Sequence, residues 1–185
     1  MITETGIWGL EEAMRSHCVS SELAVWLAKY LDKSILVNDL GCGNGFYSDI
    51  LHKAGFSVFA YEGTEEIDKI ALYKPITIMD LSRPFLNIRP GQVICLEVGE
   101  HIPEQYEQIL IDNISYATLT TAILSWAVPD QPGVGHVNCK DKEYIISEFG
   151  RRGLHVDKNA TAVLRAMNFE GCHWFNNTIF ILIRS

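Results

Sequence analysis

No apolar run in this sequence approaches the roughly 20 residues needed to span a bilayer, and its first residues lack a basic segment followed by an apolar one. A membrane span and a secretory leader are therefore not expected, and a soluble, cytoplasmic protein is. The chain has no run of like charge, no internal repeat and no low-complexity linker. Basic residues are few: 15 Lys and Arg stand against 23 Asp and Glu, a formal net charge of −8. Duplex affinity rests largely on Lys and Arg neutralising phosphates, so nucleic acid is disfavoured as a partner and a small-molecule acceptor is favoured. The five cysteines (Cys18, Cys42, Cys95, Cys139, Cys172) are odd in number and include no C-x-x-C pair. Neither a disulfide framework nor a thiolate zinc site is implied, and a reducing compartment fits.

What is present is an ordinary globular composition, 48% hydrophobic and 21% charged over 185 residues, which suits one domain spanning 1–185. Helical spacing over Leu10 to Arg15 and Glu22 to Leu31, with Ser20 or Ser21 as a cap, predicts an N-terminal helical segment over 1–34. From residue 35 to 185, strand-like and helix-like stretches alternate. Strands are expected at Ile35 to Leu40, Ser57 to Tyr61, Ile76 to Met79, Gln92 to Glu97, Ala122 to Val128, Leu154 to Val156 and Thr178 to Ile183. Helices are expected up to Ala54 and at Glu65 to Leu72, Pro103 to Tyr116, Lys142 to Arg152 and Asn159 to Met167. Fully apolar strands such as Val93-Ile94-Cys95-Leu96, separated by helices, predict an α/β fold with a mostly parallel sheet covered on both faces. In such sheets ligands lie beyond the carboxyl ends of the strands.

The first strand ends in Asp39-Leu40-Gly41-Cys42-Gly43-Asn44-Gly45 and turns into a helix. Glycines at such a turn let backbone approach a ligand without interference from Cβ, which points to a nucleoside-like cofactor. The dinucleotide pattern G-x-G-x-x-G fails, because Phe46 stands where its third glycine belongs, so NAD is a weak alternative. Glu62 closes the second strand, where an acid beside the first turn accepts hydrogen bonds from ribose hydroxyls.

Through Val37 to Gly45, Tyr61-Glu62-Gly63, Asp80-Leu81 and Cys95-Leu96-Glu97-Val98, the sequence resembles the class I, Rossmann-like S-adenosylmethionine-dependent methyltransferases. The likeness runs from about Leu36 to the C-terminus. It implies a three-layer αβα fold, a seven-stranded sheet with a reversed terminal strand, and S-adenosyl-L-methionine as cofactor. It further implies that the glycine loop meets the cofactor's amino acid part, Glu62 the ribose and Asp80-Leu81 the adenine, and that Asp39, Gly41, Cys42, Gly43, Gly45, Tyr47, Gly63 and Glu97 belong to the cofactor site. The N-terminal segment, with Trp8 and His17, falls where such folds place a lid.

Beyond the fourth strand, Glu97-Val98-Gly99-Glu100-His101 sets two carboxylates and an imidazole at the edge where an acceptor must lie. Glu97, Glu100 and His101 form a donor set that suits Mg²⁺, Mn²⁺ or Zn²⁺. This pattern is similar to that of ubiquinone-pathway O-methyltransferases and small-RNA 3′-terminal 2′-O-methyltransferases. A structural role competes with it: Glu100 as a helix cap and Glu97 bonded to backbone amides. After the fifth strand, Trp126, His136 and Asn138 are candidate acceptor-binding residues on a polar, glycine-rich loop. Glu100, His101 and His136 are the candidate catalytic residues, with a histidine as base where the acceptor carries a proton. Trp174 and Phe175 read as the turn of a terminal hairpin.

The resulting expectation is a methyltransferase acting on a small molecule at oxygen. Metal-assisted methylation of an RNA terminus and a non-catalytic cofactor-binding subunit are the alternatives, and assembly as a homodimer or with a partner subunit is left open.

Overall fold

The computed structural model describes residues 1–85 and 87–185. Two short helices come first, α1 (Leu10–Ser16) and α2 (Ser21–Tyr30). Ser20 caps α2 by accepting from the Leu23 N–H, which satisfies one of the helix's free donors. The core then runs β1 (Val37–Leu40), α3 (Phe46–Lys53), β2 (Val58–Glu62), β3 (Ile76–Ile78), β4 (Gly91–Cys95), α4 (Glu107–Ala117), β5 (Thr118–Ser125), α5 (Lys142–Gly150), β6 (Leu154–Val156), α6 (Lys158–Arg165), α7 (Phe175–Thr178) and β7 (Ile179–Arg184).

The strands form one seven-stranded sheet in the order β3-β2-β1-β4-β5-β7-β6. β1 to β5 pair in parallel, while β7 runs antiparallel to both β5 and β6. The reversed terminal strand is thus present. Alternation along the strands builds two cores: Ile94, Ile179 and Ile181 face one way with Leu23, Leu27 and Leu51. Val93, Cys95, Phe180 and Leu182 face the other, against Leu110, Ile114 and Phe149. A strand buried on both faces is the parallel-sheet pattern read from the sequence.

Three expected elements differ. The segment Glu65 to Leu72 holds only a 3₁₀ turn, Ile67–Lys69, because Glu66 takes a left-handed backbone (φ 62°) and the Leu72 N–H is drawn to the Asn44 carbonyl at 2.8 Å. β5 begins at Thr118, directly off α4, and ends at Ser125, so Trp126 and Ala127 have left the sheet. Trp174 and Phe175 do not turn a hairpin; they open the four-residue α7, and α6 with its following loop lies between β6 and β7. Among the described residues no helix is long and apolar enough to cross a membrane.

From β1 the chain crosses by α3 to β2, and from β4 it crosses by α4 to β5 on the opposite side. β1 and β4 are neighbours, so their carboxyl ends bound the crevice where strand order reverses, the usual ligand position in an open α/β sheet.

Candidate active site

A cavity of about 680 Å³ opens at this crevice. One end is the glycine loop. Gly41, Gly43 and Gly45 all have left-handed backbones, and a Cβ on Gly41 would collide with Cγ2 of Val98. The Gly41 and Cys42 N–H groups donate to the Tyr61 carbonyl at 2.9 and 3.0 Å, which fixes the loop to β2. Glu62 fixes it again: Oε2 accepts from the Gly43 N–H at 2.9 Å, and Oε1 accepts from the N–H and Oγ1 of Thr64. Glu62 remains on the cavity wall, and a carboxylate oxygen has capacity for a further donor.

Asp39 is buried beneath the loop and accepts from Oγ of Ser48 at 2.7 Å. Burial raises its carboxyl to about 7, against the Ser48 hydrogen bond, which favours the charged form. The Tyr47 hydroxyl accepts from the Ser20 N–H at 3.0 Å and ties the N-terminal segment to α3. Gly63 and Leu81 line the cavity. Gly45 does not; it precedes α3, and a Cβ there would stand 2.8 Å from Cβ of Tyr73. Asp80 is also off the wall: its Oδ1 accepts from the N–H and Oγ of Ser82, a turn closure, while Met79 and Leu81 beside it line the cavity.

At the other end, Glu97 follows β4 with a left-handed backbone (φ 52°), rare for a residue with a side chain and concentrated at functional sites. Its carboxylate accepts from Nε2 of Gln131 at 3.2 Å and from Oγ1 of Thr178 at 3.4 Å. Glu97 therefore bonds side chains rather than backbone amides. Glu100 is fully buried, and neither carboxylate oxygen has a hydrogen-bond partner. It caps no helix. Burial, and then the neighbouring Glu97, hold its carboxyl well above the ordinary range.

Two imidazoles face this carboxylate. Nδ1 of His101 lies 3.2 Å from the Gly135 carbonyl and Nδ1 of His136 lies 3.0 Å from the Gln131 carbonyl. A carbonyl only accepts, so each Nδ1 carries a proton toward it. Burial pushes the His101 imidazole down to about 4, which keeps it neutral. Nε2 of His136 lies 4.0 Å from Oε1 of Glu100. One ligand atom each from Glu100, His101 and His136 fall within 4.8 Å of one another. His136 thus takes the place expected for Glu97 in the donor set.

The two remaining acceptor-site expectations are corrected. Trp126 is 1% exposed, packs in the core below β5 and donates from Nε1 to the Asn138 carbonyl at 2.7 Å. Asn138 is also buried, and its Nδ2 donates to Oε2 of Glu107 at 3.0 Å. Both hold the 131–140 loop in place. Gln131 and Trp174, the latter read from the sequence as part of a hairpin turn, line the cavity, and Glu107 carries no motif signal.

This is the fold of the class I S-adenosylmethionine-dependent methyltransferases. Among solved structures, the chain is similar to magnesium protoporphyrin IX methyltransferase (ChlM) from Synechocystis PCC 6803 with bound SAH (TM-score 0.64, 22% identity, 89% of this chain and 81% of that one). It is similar to a TehB-like SAM-dependent methyltransferase from Corynebacterium glutamicum (TM-score 0.67, 13% identity, 95% and 93%). The [4+2]-cyclase SpnF also shares the fold (TM-score 0.62, 10% identity, 88% and 80%), so activity has to be argued from the site. No protein-family model matches the sequence, and no curated protein sequence matches it.

Proposed function

We propose that the protein binds S-adenosylmethionine against the glycine loop and Glu62 and transfers its methyl group to a small-molecule acceptor, at oxygen. One observation carries this reading: a single cavity joins the loop, tied down by Glu62, to the imidazoles of His101 and His136. ChlM and the TehB-like protein, as named, are methyltransferases on this fold. Methyl transfer requires in-line approach of the nucleophile, so most of the catalysis is positioning. Nε2 of His136, 4.0 Å from Oε1 of Glu100, is the base that takes the acceptor's hydroxyl proton. The net charge of −8 argues against an RNA acceptor.

Calorimetric titration with S-adenosylmethionine (SAM) and S-adenosylhomocysteine (SAH) tests the reading. Both should bind, and Glu62→Ala should weaken binding roughly 10- to 100-fold, the worth of charge-assisted hydrogen bonds. Absence of binding in the parent protein overturns it. Methyl release in an acceptor screen then separates an enzyme from a cofactor-binding subunit.

A second reading rests on the two unpartnered oxygens of Glu100. With His101 and His136 it forms a donor set that fits Mn²⁺ or Zn²⁺, each imidazole oriented by a carbonyl on its far nitrogen, as metal-ligating histidines are. A bound ion would act as a Lewis acid on the acceptor oxygen. Repeating the titration with each metal, in the parent and in Glu100→Gln, tests it.

A further inference from the structure

Two carbonyls of the 131–140 loop aim the histidine pair. The Gln131 carbonyl lies 3.0 Å from Nδ1 of His136, and the Gly135 carbonyl lies 3.2 Å from Nδ1 of His101. An imidazole bonded at Nδ1 has its ring rotation set, so the direction of each Nε2 follows the placement of the loop. Pro132, Gly133 and Val134 at the tip are exposed, and the loop is held from its other end. There the Val137 and Asn138 N–H groups donate to the Glu100 carbonyl at 2.8 and 3.0 Å, and the Lys140 N–H donates to the Ala127 carbonyl at 3.0 Å.

The side chains at that end converge on Glu107, which is in the first turn of α4 and 2% exposed. Its Oε2 accepts from Nδ2 of Asn138 at 3.0 Å and pairs with Nζ of Lys140 at 3.3 Å, while Oε1 accepts from the Tyr144 hydroxyl at 2.5 Å. Taking a carboxylate out of water is costly, and a well-packed apolar side chain would fill the same space without that cost. What the carboxylate adds is direction. A single oxygen meets two loop residues, Asn138 and Lys140, and so sets the register of the loop against α4. His136 is two residues before Asn138. Glu107 itself is off the cavity wall, so it reaches the site only through the loop.

Building on the methyltransferase reading, in which His136 is the base, we propose that Glu107 is a positioning residue. By fixing Asn138 and Lys140 it holds the Gln131 and Gly135 carbonyls where they orient the imidazoles of His136 and His101. A base acting at Nε2 needs the ring's proton kept on Nδ1, and a displaced Gln131 carbonyl no longer keeps it there.

The test uses the full chain with ¹⁵N-labelled histidine, saturated with SAH in metal-free buffer. The chain has six histidines, and single substitutions identify the signals of His101 and His136. The ¹⁵N shifts separate a protonated ring nitrogen from a bare one. Glu107→Gln keeps the shape of the side chain but sets an amide N–H₂ against neighbouring donors. In this variant the His136 signal should move toward the form with its proton on Nε2 and the His101 Nδ1 signal should shift, while His52 on α3 and His155 on β6 stay in place. SAH affinity should change by less than about twofold, since Glu107 is off the wall. Asn138→Ala, which cuts the tie from the loop side, should move the same two signals and serves where Glu107→Gln does not fold. Tyr144→Phe, which removes a donor outside the loop, should leave them in place. Parental His101 and His136 signals in folded Glu107→Gln or Asn138→Ala would make Glu107 a structural group and overturn the proposal, as would equal movement in Tyr144→Phe. Failure of SAH to bind the parent protein, read separately by calorimetry, removes the methyltransferase reading and the base with it; the same spectra of the unliganded protein then still decide whether Glu107 orients the pair.

Discussion

Asn138 and Glu107, both buried, are joined by an Nδ2–H···Oε2 hydrogen bond of 3.0 Å, which fastens the 131–140 loop to the first turn of α4. Tyr144 and Lys140 meet the same carboxylate at 2.5 and 3.3 Å. Asn138→Ala leaves a buried carboxylate short of one donor and should cost about 1–3 kcal/mol in urea unfolding. SAH affinity should stay at the parental value, since the side chain is off the cavity wall. An acceptor contact would instead leave stability unchanged.

The buried Asp39 predicts a pH-dependent stability. Its carboxyl titrates near 7 in the fold, above its unfolded value of 3.8, so the folded state binds the extra proton between these two. The unliganded protein should therefore lose stability as pH rises from about 4 to about 7, by on the order of 3–4 kcal/mol from this group, and level off above. Asp39→Asn should remove that slope, so its advantage over the parent grows from pH 5 to pH 8. Equal slopes in the two proteins would contradict the buried, neutral carboxyl.

Burial disfavours the charged form of Glu100, so Glu100→Gln, which has nearly the same shape, should unfold within about 1 kcal/mol of the parent. Glu100→Ala, which opens a void under the histidine pair, should cost more, about 1–3 kcal/mol. Zn²⁺ or Mn²⁺ titration of Glu100→Gln should show binding at least tenfold weaker than the parent if the ion engages the carboxylate. Parental metal affinity in this variant would exclude Glu100 as a ligand.

Two glycines separate backbone strain from close approach. Gly41 has φ 73° and a position where Cβ collides with Val98, whereas Gly55 has φ 93° with nothing within 4 Å. Gly55→Ala should cost only the conformational strain, on the order of 1 kcal/mol, and leave SAH binding intact. Gly41→Ala should lose SAH binding by more than tenfold as the loop shifts to relieve the contact. Matching behaviour of the two variants, read by calorimetry and thermal melts, would show that the loop tolerates a side chain.

Much of this fold was legible locally. The strand, glycine turn and helix from Val37 to Lys53 span few residues, and each signal acts between near neighbours: apolar alternation, glycines at left-handed positions, an acid closing the next strand. Leu154–Val156 falls where the pattern placed it, and Glu62 meets the loop it was expected to meet. The misplaced elements have non-local causes. Asn44 draws Leu72 out of an expected helix, and α4 feeds β5 earlier than its apolar pattern suggests.

The sequence by itself determined the alternation of strands and helices, the two-faced burial of the central strands, and the pairing of a glycine loop with Glu62. These follow from side-chain periodicity and turn chemistry within a few residues. Which polar residues face the cavity was decided only by the tertiary structure. The backbone at Glu97 is left-handed and its carboxylate meets Gln131 and Thr178, both far along the chain, while Oε1 of Glu100 lies 4.0 Å from Nε2 of His136. The same packing buries Trp126 and Asn138 and lays Trp8 over the histidines. Spacing in sequence fixes the face of an element a residue occupies; the partner across that face comes from another element, and its identity exists only once the chain has closed.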